Sequence, residues 1–286
     1  MAASLGAGTA RAAQTAPVDN PHAQTRLLSG PVRGGVAEGG IEIRLAPGWK
    51  TYWRYPGDSG VPPQIDWSRS RNIAAVEMDF PAPLRFDDGS GGAAIGYKGT
   101  VLLPLTIRVA DPAAPASLDI TFDFAVCETL CTLARADLAL DVPAEGAPGA
   151  AEAEARIVAA RALVPRKVDA MAGSAADGRA PAIVAVRLDT TRQPPLLLVD
   201  ARTTNPRADL FVEGPDTGWA LPLPQKAPAV DGVTRFSLPL DGLPPGAAVA
   251  GARLGLTLVD PPGAIFTTIV PAPGAASHAE APAKGR

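Results

Sequence analysis

Only two side chains in the 286-residue sequence carry a thiol, Cys127 and Cys131, and both fall in the stretch TFDFAVCETLCTLARADLAL, residues 121–140. Two cysteines with three residues between them can form a redox-active disulfide, clip a hairpin, share a metal ion or stay as inert thiols. The metal reading lacks co-ligands, because His22 and His278 lie in the tails and Met78 and Met171 are isolated. As a staple the bridge is poorly placed: closing so short a loop removes only about 2 kcal/mol of unfolded-chain entropy, against ~4.7 kcal/mol for a hundred-residue loop. Thiols outside the cytosol oxidise. A pair that opens and closes is the reading these facts favour, with a structural hairpin clip second.

The flanking pattern says what holds the pair. Leu118, Ile120, Phe122, Phe124 and Val126 alternate with polar Asp119, Thr121 and Asp123, and beyond the cysteines Ala134, Ala136, Leu138, Leu140 and Val142 alternate with Arg135, Asp137 and Asp141. Period-two alternation on both sides predicts two half-buried strands joined as a hairpin. With residues 128–130 as the loop, Phe124 falls opposite Ala134, Phe122 opposite Ala136, Ile120 opposite Leu138 and Leu118 opposite Leu140, while Asp123 meets Arg135 on the outer face. A slip of one residue would turn the apolar set to solvent. This register opposes Cys127 and Cys131 with Cα atoms roughly 4.5 to 5.5 Å apart, within disulfide range; one continuous strand would hold them ~13 Å apart. Their parity is that of the outer face, so both sulfurs are expected at the hairpin mouth and outside the core. Glu128-Thr129-Leu130 has no glycine for the left-handed position such loops usually want, which predicts a strained or bulged loop.

Thiolates are made available by nearby cations or helix N-termini. Glu128 opposes ionisation, and the nearest cation along the chain is Arg135. The pair is therefore expected to rely on a partner for the more nucleophilic thiol in at least one leg of an exchange.

The rest of the chain must position this hairpin. Apolar residues make up 47% and charged residues 19%, enough to bury real cores, and a net charge of -3 with a pI near 5.5 offers no basic surface for nucleic acid. No window approaches the ~20 apolar residues of a membrane-spanning helix. The 31 prolines and 29 glycines punctuate short apolar runs, the rhythm of strands and turns. Strands are expected near 25–30, 41–46, 73–80, 101–110, 118–126 and 132–142, then near 182–189, 195–201, 208–213, 233–240, 249–259 and 264–270. Between the sets, the Ala/Glu/Arg run in PAEGAPGAAEAEARIVAARALVPRKV has good helix propensity near 152–163. The fold class expected is all-β: two immunoglobulin-like β-sandwich domains joined by a linker with a short helix. The divisions are residues 1–19 (signal remnant or disordered tail), 20–145 (first sandwich), 146–166 (linker with the helix), 167–272 (second sandwich) and 273–286 (solvated tail). The start, MAASLGAGTARAAQTAP, supplies the small residues of an export-signal cleavage site around Ala10 to Ala12.

Two motifs mislead. GDSGVPP, residues 57–63, echoes a serine-protease motif, but the only upstream histidine is His22, so Asp58-Ser59-Gly60 is read as a turn. GSGGAAIG, residues 89–96, has no following helix to hold a phosphate and reads as a flexible loop.

The order GWKTYWRYPGDSGVPPQIDW, FPAPLRF, GYKGTVLLPLTI, FAVCETLC resembles the N-terminal periplasmic domain of the thiol:disulfide interchange reductase DsbD family, over about residues 25–145. The second half, with RADLFVEGPDTGWA and LGLTLVDPPGAIFTT, resembles the extra sandwich of its ScsB-like members. The resemblance implies a periplasmic domain, working without a cofactor, whose cysteine pair takes electrons from a membrane-embedded thiol reductase donor and passes them to periplasmic thioredoxin-like proteins. It places Cys131 in the mixed disulfide, makes Phe86 to Ile95 a cap, and makes Tyr52, Trp53 and Tyr97 an aromatic surround; ordinary core packing is the other reading of these aromatics. The best-known members space their cysteines more widely, and full-length reductases continue into a multi-helix membrane domain and a thioredoxin-like domain. Electrons are then expected from a separate protein, unless the chain is a fragment. The competing class is a secreted, non-catalytic binding sandwich, in envelope or copper tolerance, with a structural hairpin disulfide.

Overall fold

The computed structural model describes residues 13–57, 60–87, 92–169, 180–216 and 218–271. The expected signal remnant up to residue 12, the last-residue tail with His278, Met171, Asp58 and Ser59, and the loop tip at 88–91 lie outside the described residues. The chain divides into two compact units, Met1–Val164 and Pro165–Arg286.

The first unit contains β1 (Val18–Asn20), β2 (Ala23–Ser29), β3 (Val36–Leu45), β4 (Lys50–Gly57), β5 (Gln64–Asp66), β6 (Ile73–Met78), β7 (Leu84–Asp87), β8 (Ala93–Lys98), β9 (Thr100–Val109), β10 (Ser117–Cys127), β11 (Cys131–Asp141) and α1 (Ala150–Arg161). One sheet runs β1-β2-β3-β9-β6; the other runs β11-β10-β4-β8-β7, with β5 also paired to β10. Alternate residues of β10 and β11, from Leu118 through Phe122 and Phe124 to Leu138, turn inward and are buried. This is the sandwich the alternation predicts. His22 is not in a tail: β1 pairs with β2, which makes residue 22 a turn position with φ of 61°, and its ring stacks on Trp49 with centroids 3.6 Å apart.

The helix expected in a linker is packed on the first unit instead. Ala150, Ala153 and Ile157 of α1 are buried with Ala13 and Leu28, with Leu102 against them. Small residues on that face let the helix lie close, and a Cβ at Gly40 of β3 would meet the Leu102 side chain at 2.6 Å and Ile157 at 3.4 Å. Ion pairs fix the placement. The buried Glu42 carboxylate takes Arg26 at 2.9 Å from β2 and Arg156 from the helix, and the Arg161 guanidinium donates to Glu38 and Asp79 at 2.9 and 2.6 Å. A buried carboxylate is tolerable when it is paired in this way.

In the second unit, β12 (Arg166–Lys167), β13 (Ala182–Asp189), β14 (Leu196–Arg202), β15 (Asp209–Glu213), β16 (Gln225–Lys226), β17 (Val233–Pro239), β18 (Leu254–Asp260) and β19 (Gly263–Ile269) form sheets ordered β12-β19-β18-β15 and β13-β14-β17-β16. Leu197, Val199, Phe211, Phe236, Leu256 and Leu258 are buried in this unit. The expected strand at 249–259 begins only at Leu254. Asp260 is 3% exposed, and its carboxylate accepts the backbone N–H groups of Thr204 and Asn205 at 2.9 and 2.8 Å.

If α1 is part of the first unit's core, Ile157→Ala should cost about 2–5 kcal/mol there. In the full chain, amide exchange should then speed up in β2, β3 and β9 and stay unchanged in β14 and β17. Unaltered protection in β2 and β3 would put the helix off the sheet.

Candidate functional site: a shielded hairpin disulfide

The β10–β11 ladder has the expected register, unbroken from Ser117↔Asp141 to Cys127↔Cys131, with Phe124↔Ala134, Phe122↔Ala136 and Asp123↔Arg135 among its pairs. The bulge expected of the loop is absent, and none of residues 128–130 takes a positive φ; the turn closes with the Glu128 N–H donating to the Leu130 carbonyl at 3.3 Å. Below the tip, the Arg135 guanidinium grips the Asp123 carboxylate with two bonds of 2.7 and 2.9 Å. That commits the cation nearest the cysteines along the chain to a carboxylate partner. Cys127 and Cys131 are disulfide-bonded, with Cα atoms 4.2 Å apart.

The two sulfurs do not share one environment. Cys131 is exposed, whereas Cys127 is 2% exposed. The expectation that both sit at the mouth, outside the core, therefore fails for Cys127, which belongs to a buried cluster. The parity is right, but the outer face is covered here because the sheet continues past β10. β4 pairs with the end of β10 through Val126↔Thr51 and Cys127↔Lys50, and β8 and β7 follow in order. Their outward side chains close over Cys127, giving a small buried cluster of Tyr52, Phe86, Ala94, Ala125 and Cys127.

Tyr52 reaches furthest in. Its hydroxyl lies 2.8 Å from Cys127 Sγ and 3.1 Å from Cys131 Sγ. Phe86 covers the cluster from β7, with the ammonium groups of Lys50 and Lys98 at 5.8 and 5.0 Å from its ring centroid, a cation–π geometry. Lys50 also donates to the Asp87 carbonyl at 3.1 Å, tying β4 to the end of β7. Of the expected cap, Phe86, Asp87 and residues 92–95 are described, with Phe86 and Asp87 on β7 and Ala93 to Ile95 on β8.

Trp53 and Tyr97 fall on the opposite face. Neighbours along a strand point to opposite sides, and Trp53 follows Tyr52 while Tyr97 follows Gly96. Trp53 is 0% exposed with the Arg54 guanidinium 4.1 Å from its ring centroid. The Tyr97 hydroxyl donates to the Pro81 carbonyl at 2.8 Å, and burial pushes its phenol well above the usual value.

Sequence reasoning did not single out Lys50, Thr51, Gly96 or Lys98. The Thr51 hydroxyl donates to the Ala125 carbonyl at 2.8 Å, pinning β4 beside the strand that carries Cys127. A Cβ on Gly96 would stand 1.9 Å from the Thr51 carbonyl oxygen and 2.8 Å from the Tyr52 Cα. Only glycine lets β8 approach β4 so closely. The alternation of Lys50, Tyr52 and Arg54 with Thr51, Trp53 and Tyr55 was available as a signal, but it sets large residues against large residues and shows no apolar face.

A sandwich whose hairpin tip carries a half-shielded disulfide is the class that fold and site define. Residues 23–143, most of the first unit, match the family described as thiol:disulfide interchange protein DsbD, N-terminal. Over both units the fold is like that of the N-terminal periplasmic domain of ScsB from Proteus mirabilis, with a TM-score of 0.73 and 24% identity over 92% of this chain and 100% of that one. No curated protein matches the chain. Among the described residues no helix is long and apolar enough to cross a membrane.

Gly96→Ala should force β8 off β4 and cost about 1–3 kcal/mol, the usual toll of overpacking. Denaturant unfolding of the oxidised protein measures it; a midpoint equal to that of the parent chain would contradict the close approach.

Proposed function

We propose that the first unit is a periplasmic thiol:disulfide exchange module, taking reducing equivalents from a membrane-embedded thiol reductase donor and passing them to thioredoxin-like envelope proteins through Cys127 and Cys131. The observation that carries this reading is the unequal burial of the two sulfurs. Exchange requires a thiolate to reach one sulfur while the other leaves. Cys131 is an exposed residue that a visiting thiolate can approach, and Cys127 lies beneath Tyr52 and Phe86. Leu130 and Leu133, 79% and 72% exposed, flank Cys131 with apolar surface that a docking protein would cover. The match of residues 23–143 to the DsbD N-terminal family and the fold likeness to a periplasmic domain support the same partners and compartment.

On reduction, the donor's first thiolate attacks Cys131 Sγ. A new S–S bond forms to Cys131, the Cys127–Cys131 bond breaks, and its electron pair goes to Cys127. The donor's second thiolate then attacks the donor sulfur of the mixed disulfide and releases Cys131. The donor has lost two electrons to a disulfide, and the hairpin holds a dithiol after taking up two protons. Delivery runs the same steps in reverse order, with the Cys131 thiolate attacking the acceptor's disulfide and Cys127 resolving the intermediate. Both cysteines lie in the first unit, so the chemistry is confined there.

A Cys127→Ser chain should trap a mixed disulfide through Cys131 with a thioredoxin-like partner, and Cys131→Ser should trap none. The hairpin's reduction potential should lie above about -300 mV, the region below which structural disulfides usually fall. A deeper potential together with no trapped species would leave the structural clip of a non-catalytic sandwich as the better reading.

A further inference from the structure

We infer that Tyr52 is a catalytic residue of this exchange: its phenol donates the hydrogen bond that receives the Cys127 thiolate as the disulfide opens. The inference rests on the reading above only in assuming that Cys127 is the sulfur that leaves. In the disulfide neither sulfur carries a hydrogen. The contacts of 2.8 Å to Cys127 and 3.1 Å to Cys131 can therefore only be donated by the Tyr52 O–H, which is shared between the two sulfurs and closer to the buried one.

The chemistry gives that proton a task. When a thiolate attacks Cys131, negative charge moves from the incoming sulfur through Cys131 to Cys127. Charge arriving on Cys131 reaches solvent, but charge arriving on Cys127 reaches a site 2% exposed. An unpaired buried charge is strongly disfavoured. Of the residues clustered around Cys127, Phe86, Ala94 and Ala125 offer no polar side-chain hydrogen; Tyr52 offers one, already aimed at the sulfur. Lys50, the strand partner of Cys127, has its ammonium on the Asp87 carbonyl. No rearrangement is needed at the moment of reaction, which is what makes a donor of this kind effective. The phenol keeps its proton throughout: it holds the thiolate by a hydrogen bond, and the proton that finally neutralises Cys127 comes from solvent after the partner departs.

Tyr52 is 3% exposed and packed on Phe86, so a role as shield competes with a role as donor. Tyr52→Phe separates them, because it keeps the ring and removes only the hydroxyl. Oxidised full-length protein is reduced with dithiothreitol, which needs no protein partner. Losing a hydrogen bond to a charged group should slow the reduction by about 10- to 100-fold. In a Cys131→Ser background, the Cys127 thiol should titrate higher by about one to two pH units when Tyr52 is Phe, because the thiolate has lost its donor. Replacing Tyr52 by a ring-fluorinated tyrosine of nearly the same shape and greater acidity should speed the reduction. Unchanged or faster reduction of the Phe variant would overturn the inference and leave Tyr52 a shield, and so would a fluorinated variant no faster than the parent. These rates are independent of the mixed-disulfide trap: a slowed Phe variant with no trapped partner and a potential in the range of structural disulfides would sink the relay to protein partners and leave Tyr52 as the donor to the Cys127 thiolate when a small thiol opens the bond.

Discussion

An unbulged antiparallel ladder of eleven residue pairs between β10 and β11 sets where both sulfurs can be. Register in such a ladder has no intermediate values, since a slip of one residue exchanges the two faces of a strand. Here the inner face is large against small, Phe122 and Phe124 over Ala136 and Ala134, and the outer face is clamped by Asp123 and Arg135. Those pairs fix the register well below the tip. The cysteines are opposed at the end of it as a geometric consequence, without help from the loop between them.

The ladder places the sulfurs, but the strands beyond it make them unequal. On the outer face, β11 is an edge, and nothing in its own sheet lies past Cys131. On the other side, β4, β8 and β7 continue the sheet and carry Tyr52, Ala94 and Phe86 over Cys127. Edge and interior of one sheet thus give two chemically identical residues different access to solvent. The close approach of β8 at Gly96 and the Thr51 bond to Ala125 hold the cover in place.

What the sequence made legible follows from the same physics. The hairpin was readable down to individual pairs because its strands alternate strictly and one face is buried, and most strands of the second unit show similar apolar runs. β4, β7 and β8 were not readable as strands. β4 carries Lys50, Tyr52 and Arg54 on one face and Thr51, Trp53 and Tyr55 on the other, while β7 is a short strand directly after Pro83 and β8 a short one broken by Gly96, so their pairing is decided by neighbours distant in the chain. The helix was readable as a helix but not as part of the first unit. Its alanines register as propensity, and it takes contacts distant in the chain, such as the buried Glu42 between Arg26 and Arg156, to show that the sheet offers it a seat. Burial of Cys127 was out of reach for the same reason, since parity tells which face a residue is on and not what covers that face.

The short spacing of the pair bears on what the proposed exchange would do to the domain. A bond closing so short a loop contributes about 2 kcal/mol through chain entropy, while the strands beneath are held by the whole ladder and a doubly bonded ion pair. Opening the disulfide therefore removes a minor constraint from a hairpin that other contacts maintain. In the proposed cycle the two sulfurs would stay opposed after reduction, held at the same two ends of the same ladder, and the bond would re-form without a conformational search. A disulfide joining distant strands would be a better staple, and for that reason a worse carrier: each turnover would have to loosen the fold that presents it.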